Sequence, residues 1–295
     1  MAMLSGPMET ELEIAQGVEV QTGAAVSLAA RSEIEAQLDA AHKYERSLAR
    51  FRRDATTMAT LSREVAESCM YALPRGGKSI TGPSVRLAEI CASAWGNLQI
   101  GSRVVEVTET EVVAQGVAWD LQSNLRVTIE ARRRITGKNG RRYDDDMIVV
   151  TGMAAQSVAL RNAIFRVVPR GLVDTIYAAA RAVAVGDART LEARRAEAVA
   201  RLAKAGVSAD RVLAAVGVGA VEDIGLAELE TLTGLMSSVR AREITLDDAF
   251  PAPLGSVPQQ APRAAALTER LRRPPSSPSV MHDADGQIVE TPPSR

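Results

Sequence analysis

Histidine, cysteine and aromatic side chains are scarce in this chain of 295 residues, which has two His, two Cys, three Phe, four Tyr and two Trp. His42 lies in a polar helical stretch and His282 in a proline-rich segment. Neither has a second soft ligand or a partner base close by, so a zinc site or a histidine-based dyad is not expected. Cys69 and Cys91 sit among apolar neighbours at helical spacing, which reads as two reduced core thiols in a cytosolic protein rather than a disulfide framework. No signal-peptide pattern opens the chain and no apolar run approaches about 18 residues, so neither export nor a membrane span is expected. What is abundant is apolar aliphatic side chain: 46% of the residues are hydrophobic, enough to bury a substantial core.

The net charge of -1 conceals segregation. Residues 1–24 lean acidic and read as a flexible N-terminus. Residues 25–186 read as an α+β core, 187–251 as a small Ala/Leu-rich helical module, and 252–295 as a disordered tail. That tail is rich in Pro, Ser and Gln, which cannot bury enough apolar area to offset chain entropy, though it has room for a short helix at 264–272. A fragment ending near Gly186 is accordingly expected to keep the activity of the core.

The stretch "ALPRGGKSITGP", Ala72 to Pro83, comes within one residue of the phosphate-loop pattern. Such a loop needs a buried strand before it and a helix starting at its Gly-Lys-Ser. Upstream, Leu61, Val65, Cys69 and Leu73 stand at helical spacing. Downstream, Gly82-Pro83 follows Lys78 too closely for a helix to run on from it. The expectation is a Gly-rich connector between two helices, with the long polar segment from Arg31 to Leu73 forming one helix or two. "GPSVRLAEICASAWGN" then reads as a helix with Leu87, Ile90, Cys91, Ala94 and Trp95 on its apolar side and a stop at Gly96-Asn97.

Three strand-like runs follow, "LQIGSRVVEV", "EVVAQGVAWDL" and "LRVTIEARRRI", separated by "TET" and "QSN". Breaks that short force antiparallel pairing, so the fold class is α+β, with a three-stranded antiparallel meander packed on helices. In the third run Leu125, Val127, Ile129, Ala131, Arg133 and Ile135 alternate with Arg126, Thr128, Glu130, Arg132 and Arg134. Strand side chains point alternately to opposite faces, so one face joins the core and the other carries a column of arginines. The turn adds Lys138, Arg141 and Arg142; from Leu125 to Arg142 seven basic residues meet one acid. A surface that only confers solubility mixes signs, whereas one-sided positive charge points to a phosphate backbone.

The segment after the turn is helical. Met153, Leu160, Ile164, Val167 and Val168 form an apolar stripe. Asn162, Arg166 and Arg170 share another, with Arg161 beside it and Pro169 set to kink or split the helix. The run Asp144-Asp145-Asp146 suits a helix cap or a balance for Arg141 and Arg142 better than a magnesium site, so no metal or other cofactor is expected. No nucleophile paired with a base argues for an enzyme. Further on, Ser208 is placed to cap a helix, and Leu226, Leu229, Leu232 and Leu235 give the next one a buried side.

This order resembles the core of single-strand annealing recombinases. "GKSITGPSVRLAEICASAWGNLQI", a β-β-β meander and a helix bearing "AAQSVALRNAIFRVVP" are similar to the RecT/Redβ-type phage proteins and to the related eukaryotic Rad-fifty-two annealing core. In the latter an Ala-Leu-Arg-Asn-like run follows the sheet, as Ala159 to Asn162 does here. The resemblance spans roughly 75–186. It implies an ATP-independent, DNA-binding protein of phage recombination and DNA repair in the bacterial cytoplasm. Such a protein forms homo-oligomeric rings or filaments and holds single-stranded DNA in a basic groove for strand annealing. It also implies that Arg126, Arg132, Arg134, Lys138, Arg141, Arg142, Arg161 and Arg166 line the groove, and that a phage exonuclease or a host single-strand binding protein docks on the C-terminal module. With 3% aromatics, backbone electrostatics rather than base stacking must dominate the binding. Two other classes remain: an oligomeric phage assembly or scaffold protein indifferent to DNA, and a small-ligand enzyme.

Overall fold

The computed structural model describes residues 27–75, 78–137 and 139–251. The readings made for 1–24 and for 252–295 fall outside the described residues. The polar N-terminal segment breaks into α1 (residues 27–43), α2 (Leu48–Ala59) and α3 (Arg63–Ser68). The breaks come at Ser47 and Ser62, whose hydroxyls accept from the Arg50 and Val65 amides at 3.3 and 3.2 Å and so start new helices.

Contrary to expectation, the apolar spacing through Leu73 does not continue a helix: β1 (Met70–Arg75) and β2 (Lys78–Pro83) pair antiparallel, with Arg75 opposite Lys78. The Gly-rich connector therefore joins two strands rather than two helices. The geometry a phosphate loop requires is not built at Lys78, because the next helix, α4 (Val85–Trp95), begins only after Pro83. Ser84 caps α4 by accepting from the Leu87 amide and donating to the Ser68 carbonyl at 2.6 Å, which ties the start of α4 to the end of α3.

The meander forms as its alternation predicts. β3 (Leu98–Val107), β4 (Glu111–Asp120) and β5 (Leu125–Arg134) make an antiparallel sheet in that order, leaving β3 and β5 as edges. Helix α5 (Asp145–Val167) crosses one face of it. Gly116 on β4 permits the approach: a Cβ there would stand 2.3 Å from the Ala159 carbonyl carbon. The buried face of α5 is therefore made of small side chains, Ala154, Ala155, Ala159 and Ala163, with Ile164 and Val167 toward its end. Met153, expected on that face, is 57% exposed. Helix α5 also corrects the expectation of no long apolar run. By length and composition it could cross a membrane, with a mean hydropathy of 1.3, yet here it lies packed on the sheet. Asp144 caps it through the Met147 amide at 2.8 Å, and Pro169 separates it from α6 (Arg170–Val185).

Helices α7 (Leu191–Lys204), α8 (Ala209–Val216), α9 (Leu226–Arg240) and α10 (Leu246–Ala249) complete the described chain. Leu229, Leu232 and Leu235 of α9 are buried in a core that also contains Phe51, Leu87, Trp95 and Ile176. Helix α9 lies so close to β1 that a Cβ on Gly234 would meet the Tyr71 carbonyl carbon at 2.7 Å. Glu67 of α3, nearly fully buried, accepts from Arg201 of α7 at 2.9 Å and lies 3.0 Å from Arg63 and 3.8 Å from Arg240 of α9. Just before α2, Arg46 bonds the Trp95 carbonyl and Asp120 Oδ1, at 2.8 and 2.7 Å, and stacks on the Trp95 ring at 4.0 Å.

Candidate nucleic-acid interface

The alternation of β5 decides where its arginines go. Arg126, Thr128, Glu130, Arg132 and Arg134 are exposed, and Val127, Ile129, Ala131 and Arg133 are half-buried toward α5. Along the chain this stretch is nearly pure in sign, but across the sheet it is not. Glu111 lies 4.0 Å from Arg132, and Glu130 lies opposite Gln115, which lies opposite Arg103. The sheet face alone is thus a mixed surface, with Arg126 held 5.7 Å above the Trp119 ring at its far end.

Positive charge concentrates instead along the free edge of β5. Two cavities open there, and Tyr71 of β1 contributes to the wall of both. The larger, about 970 Å³, lies between β5, α5, the β1–β2 hairpin and the turn after α9, and is lined by Arg75, Arg132, Arg133, Arg134 and Arg242. The smaller, about 340 Å³, is lined by Ile129, Phe165, Asn162, Arg161, Arg166 and Arg170. Five arginines line one and three the other, against two acids, Glu243 and Asp248, both in the larger. These volumes suit a ligand the size of a nucleotide or two rather than a duplex.

Two of the charged side chains are buried. Arg161 stacks on the Tyr71 ring at 4.3 Å and its Nε donates to Asn162 at 3.4 Å. Its Nη1 is enclosed with no hydrogen-bond partner among the described residues. Glu243 likewise buries Oε2 without a partner among them. Burial raises its carboxyl above the ordinary range, and the charges of Arg161 and Arg133 pull the other way. Arg133 bridges to the same turn, its Nη1 donating to the Glu243 carbonyl at 2.6 Å.

Of the residues read from the sequence, Arg132 and Arg134 line the first cavity, and Arg161 and Arg166 the second. Arg126, Arg141 and Arg142 line neither; Arg142 reaches back to the Thr108 carbonyl and to Glu109. Lys138 and the side chain of Lys78 lie outside the described residues. Arg75, Arg242 and Glu243 were not expected at the site, because they come from the β1–β2 hairpin and the turn after α9 and carry no local pattern, and Arg133 was expected to face the core. Arg170, which the sequence groups with Asn162 and Arg166, lines the second cavity from the first residue of α6. Ile129, expected in the core, is half-buried and faces the second cavity. The described residues contain no group of three His, Cys, Asp or Glu placed to hold a metal ion. No family model, curated protein or solved structure matches the chain.

Proposed function

We propose that this protein binds single-stranded DNA along the free edge of β5 and promotes annealing of complementary strands without a nucleotide cofactor. The observation that carries this reading is the run of arginines lining two adjoining cavities, with few acids among them. Guanidinium groups so placed release the counterions condensed on a phosphate backbone, which is the main source of sequence-independent affinity. The likeness of the meander-helix order and of "ALRN" to the RecT/Redβ and Rad-fifty-two annealing core supports the same reading. With it come a homo-oligomeric ring or filament, a bacterial cytoplasmic setting and a role in phage recombination. Edge strand β3 favours self-assembly: Ile100, Val104, Val105 and Val107 are all exposed on it, and an unpaired edge is a template for another strand. That edge equally suits a scaffold protein, which would assemble but ignore oligonucleotides. On the annealing reading the C-terminal helices are where a partner exonuclease or a host single-strand binding protein would dock.

The test uses β5 as its own control. Arg132→Ser combined with Arg134→Ser should weaken binding to a labelled poly-thymidine oligonucleotide. The slope of log affinity against log salt should fall by about 0.7 for each phosphate that is no longer neutralised. Thr128→Ala, on the same face but uncharged, should leave the slope unchanged. Wild-type protein should speed duplex formation between complementary oligonucleotides in the absence of ATP. Unchanged affinity and slope in the folded double variant would leave the arginines as a solvated surface, and self-assembly without any oligonucleotide binding would favour the scaffold.

A further inference from the structure

The turn after α9 carries an arginine where a glycine is usual. Arg242 has a φ of 58°, in the left-handed region that bulky side chains rarely occupy. Its amide donates to the Val239 carbonyl at 3.0 Å and the Glu243 amide donates to the Ser238 carbonyl at 2.9 Å. Those two bonds define the Schellman closure of a helix, whose left-handed position is normally taken by glycine because a Cβ there is strained. Strain of this kind persists where the surrounding structure holds it, and it clusters at binding sites.

The neighbouring arginines on these elements are engaged. Arg240 lies 3.8 Å from Glu67, Arg211 bonds Asp247 and the Phe250 carbonyl, and Arg133 bonds the Glu243 carbonyl. Arg242 is exposed and has no hydrogen bond or ion pair from its guanidinium among the described residues. It lines the larger cavity, as Arg132 and Arg134 of β5 do. Deeper in the same cavity are the buried Glu243 and Ala154, with the half-buried Val150 and Val239 beside them.

We propose that Arg242 is a phosphate-binding residue and that the turn it occupies is the second wall of the groove, so that the strand is gripped from β5 on one side and from the end of α9 on the other. The proposal rests on the single-stranded DNA reading above and assigns its larger cavity. Phosphates stay at the rim, where Arg132, Arg134 and Arg242 stand. The floor, with a carboxylate and apolar side chains, repels the backbone and accepts the less polar base. The left-handed arginine is then a concession of stability to binding.

Arg242→Gly and Arg242→Asn both relieve the backbone, since glycine and asparagine tolerate this conformation, and both remove the charge. Arg242→Lys keeps the charge. Measured by fluorescence anisotropy with a labelled poly-thymidine oligonucleotide across a salt series, the Gly and Asn variants should bind more weakly than wild type. Each should lower the salt slope by about 0.7, while the Lys variant retains the slope. The melting temperature of Arg242→Gly should be no lower than that of wild type. If wild type binds and the Gly and Asn variants match it in affinity and slope, Arg242 takes no part in binding and the proposal fails. A marked fall in the melting temperature of Arg242→Gly would make the side chain structural and overturn it equally. A wild-type chain that binds no oligonucleotide overturns the reading beneath it, an outcome distinct from either of these.

Discussion

Asp120 is a buried carboxylate that four donors hold in place. Arg46 and the Trp95 indole donate to its side chain at 2.7 and 3.2 Å, and the amides of Gln122 and Ser123 complete the set. Burial alone would raise its pKa, but the Arg46 and Trp95 bonds and the Arg46 charge outweigh it, so the carboxyl sits below its ordinary value. A carboxyl with a depressed folded-state pKa adds stability above its unfolded value, near pH 3.9, and loses it as the pH falls through the folded value. Asp120→Asn should therefore cost about 3 kcal/mol near neutrality, where it leaves Arg46 facing a neutral amide. The gap between variant and wild type should narrow in urea titrations below about pH 4. A gap that is constant with pH would mean that the ionised form of Asp120 has no special place in the fold. Nothing in the local sequence marks this pair, because Arg46 and Asp120 are 74 positions apart and Arg46 sits in a run of ordinary charged residues.

Among the elements, β4 and α5 meet where neither has side chains to spare. Gly116 on the strand faces the Ala159 backbone, and this small-on-small packing draws the helix onto the sheet. Gly116→Val should force the two apart and cost about 1–3 kcal/mol or more, read as a lowered midpoint in thermal melts followed by circular dichroism; an unchanged midpoint would mean that α5 has room to move off the strand. The three meander strands were legible because the breaks between them are short and β5 alternates strictly, although β3 carries a register shift between Val104 and Glu106. The β1–β2 hairpin was not. Val65, Cys69 and Leu73 happen to fall at helical spacing, while the real signal was the two-residue Gly76-Gly77 link between short runs. Helix α9 covers β1 and supplies the packing that makes a strand of a segment whose own pattern argues otherwise. The arginine column on β5 was legible for the same reason as the strand. Arg161 and Arg166 were legible on their helix, but Arg75 and Arg242, which complete the larger cavity from two other elements, were not.

At the scale of the whole molecule, the described helices beyond Asp187 share one core with the sheet and the N-terminal helices. A fragment ending at Gly186 would expose the side of β1 that lies against α9 and would remove Arg201 from Glu67. Such a fragment is expected to lose cooperative unfolding and to bind a hydrophobic dye, whereas a fragment of residues 27–251 should melt as sharply as the full chain. A compact, cooperative 27–186 fragment would instead show that the packing against α9 is dispensable. Glu67 and Arg201 meet although they stand 134 positions apart in the chain, and this separation bears on kinetics. A bond that closes so long a loop is rewarded late in folding, after the local helices and the meander hairpins have formed. Weakening the Glu67 node should therefore leave the refolding rate almost untouched and appear in the unfolding rate. The buried acid then acts as a latch on the lifetime of the native state, setting how long the assembled molecule stays closed rather than how quickly it is made.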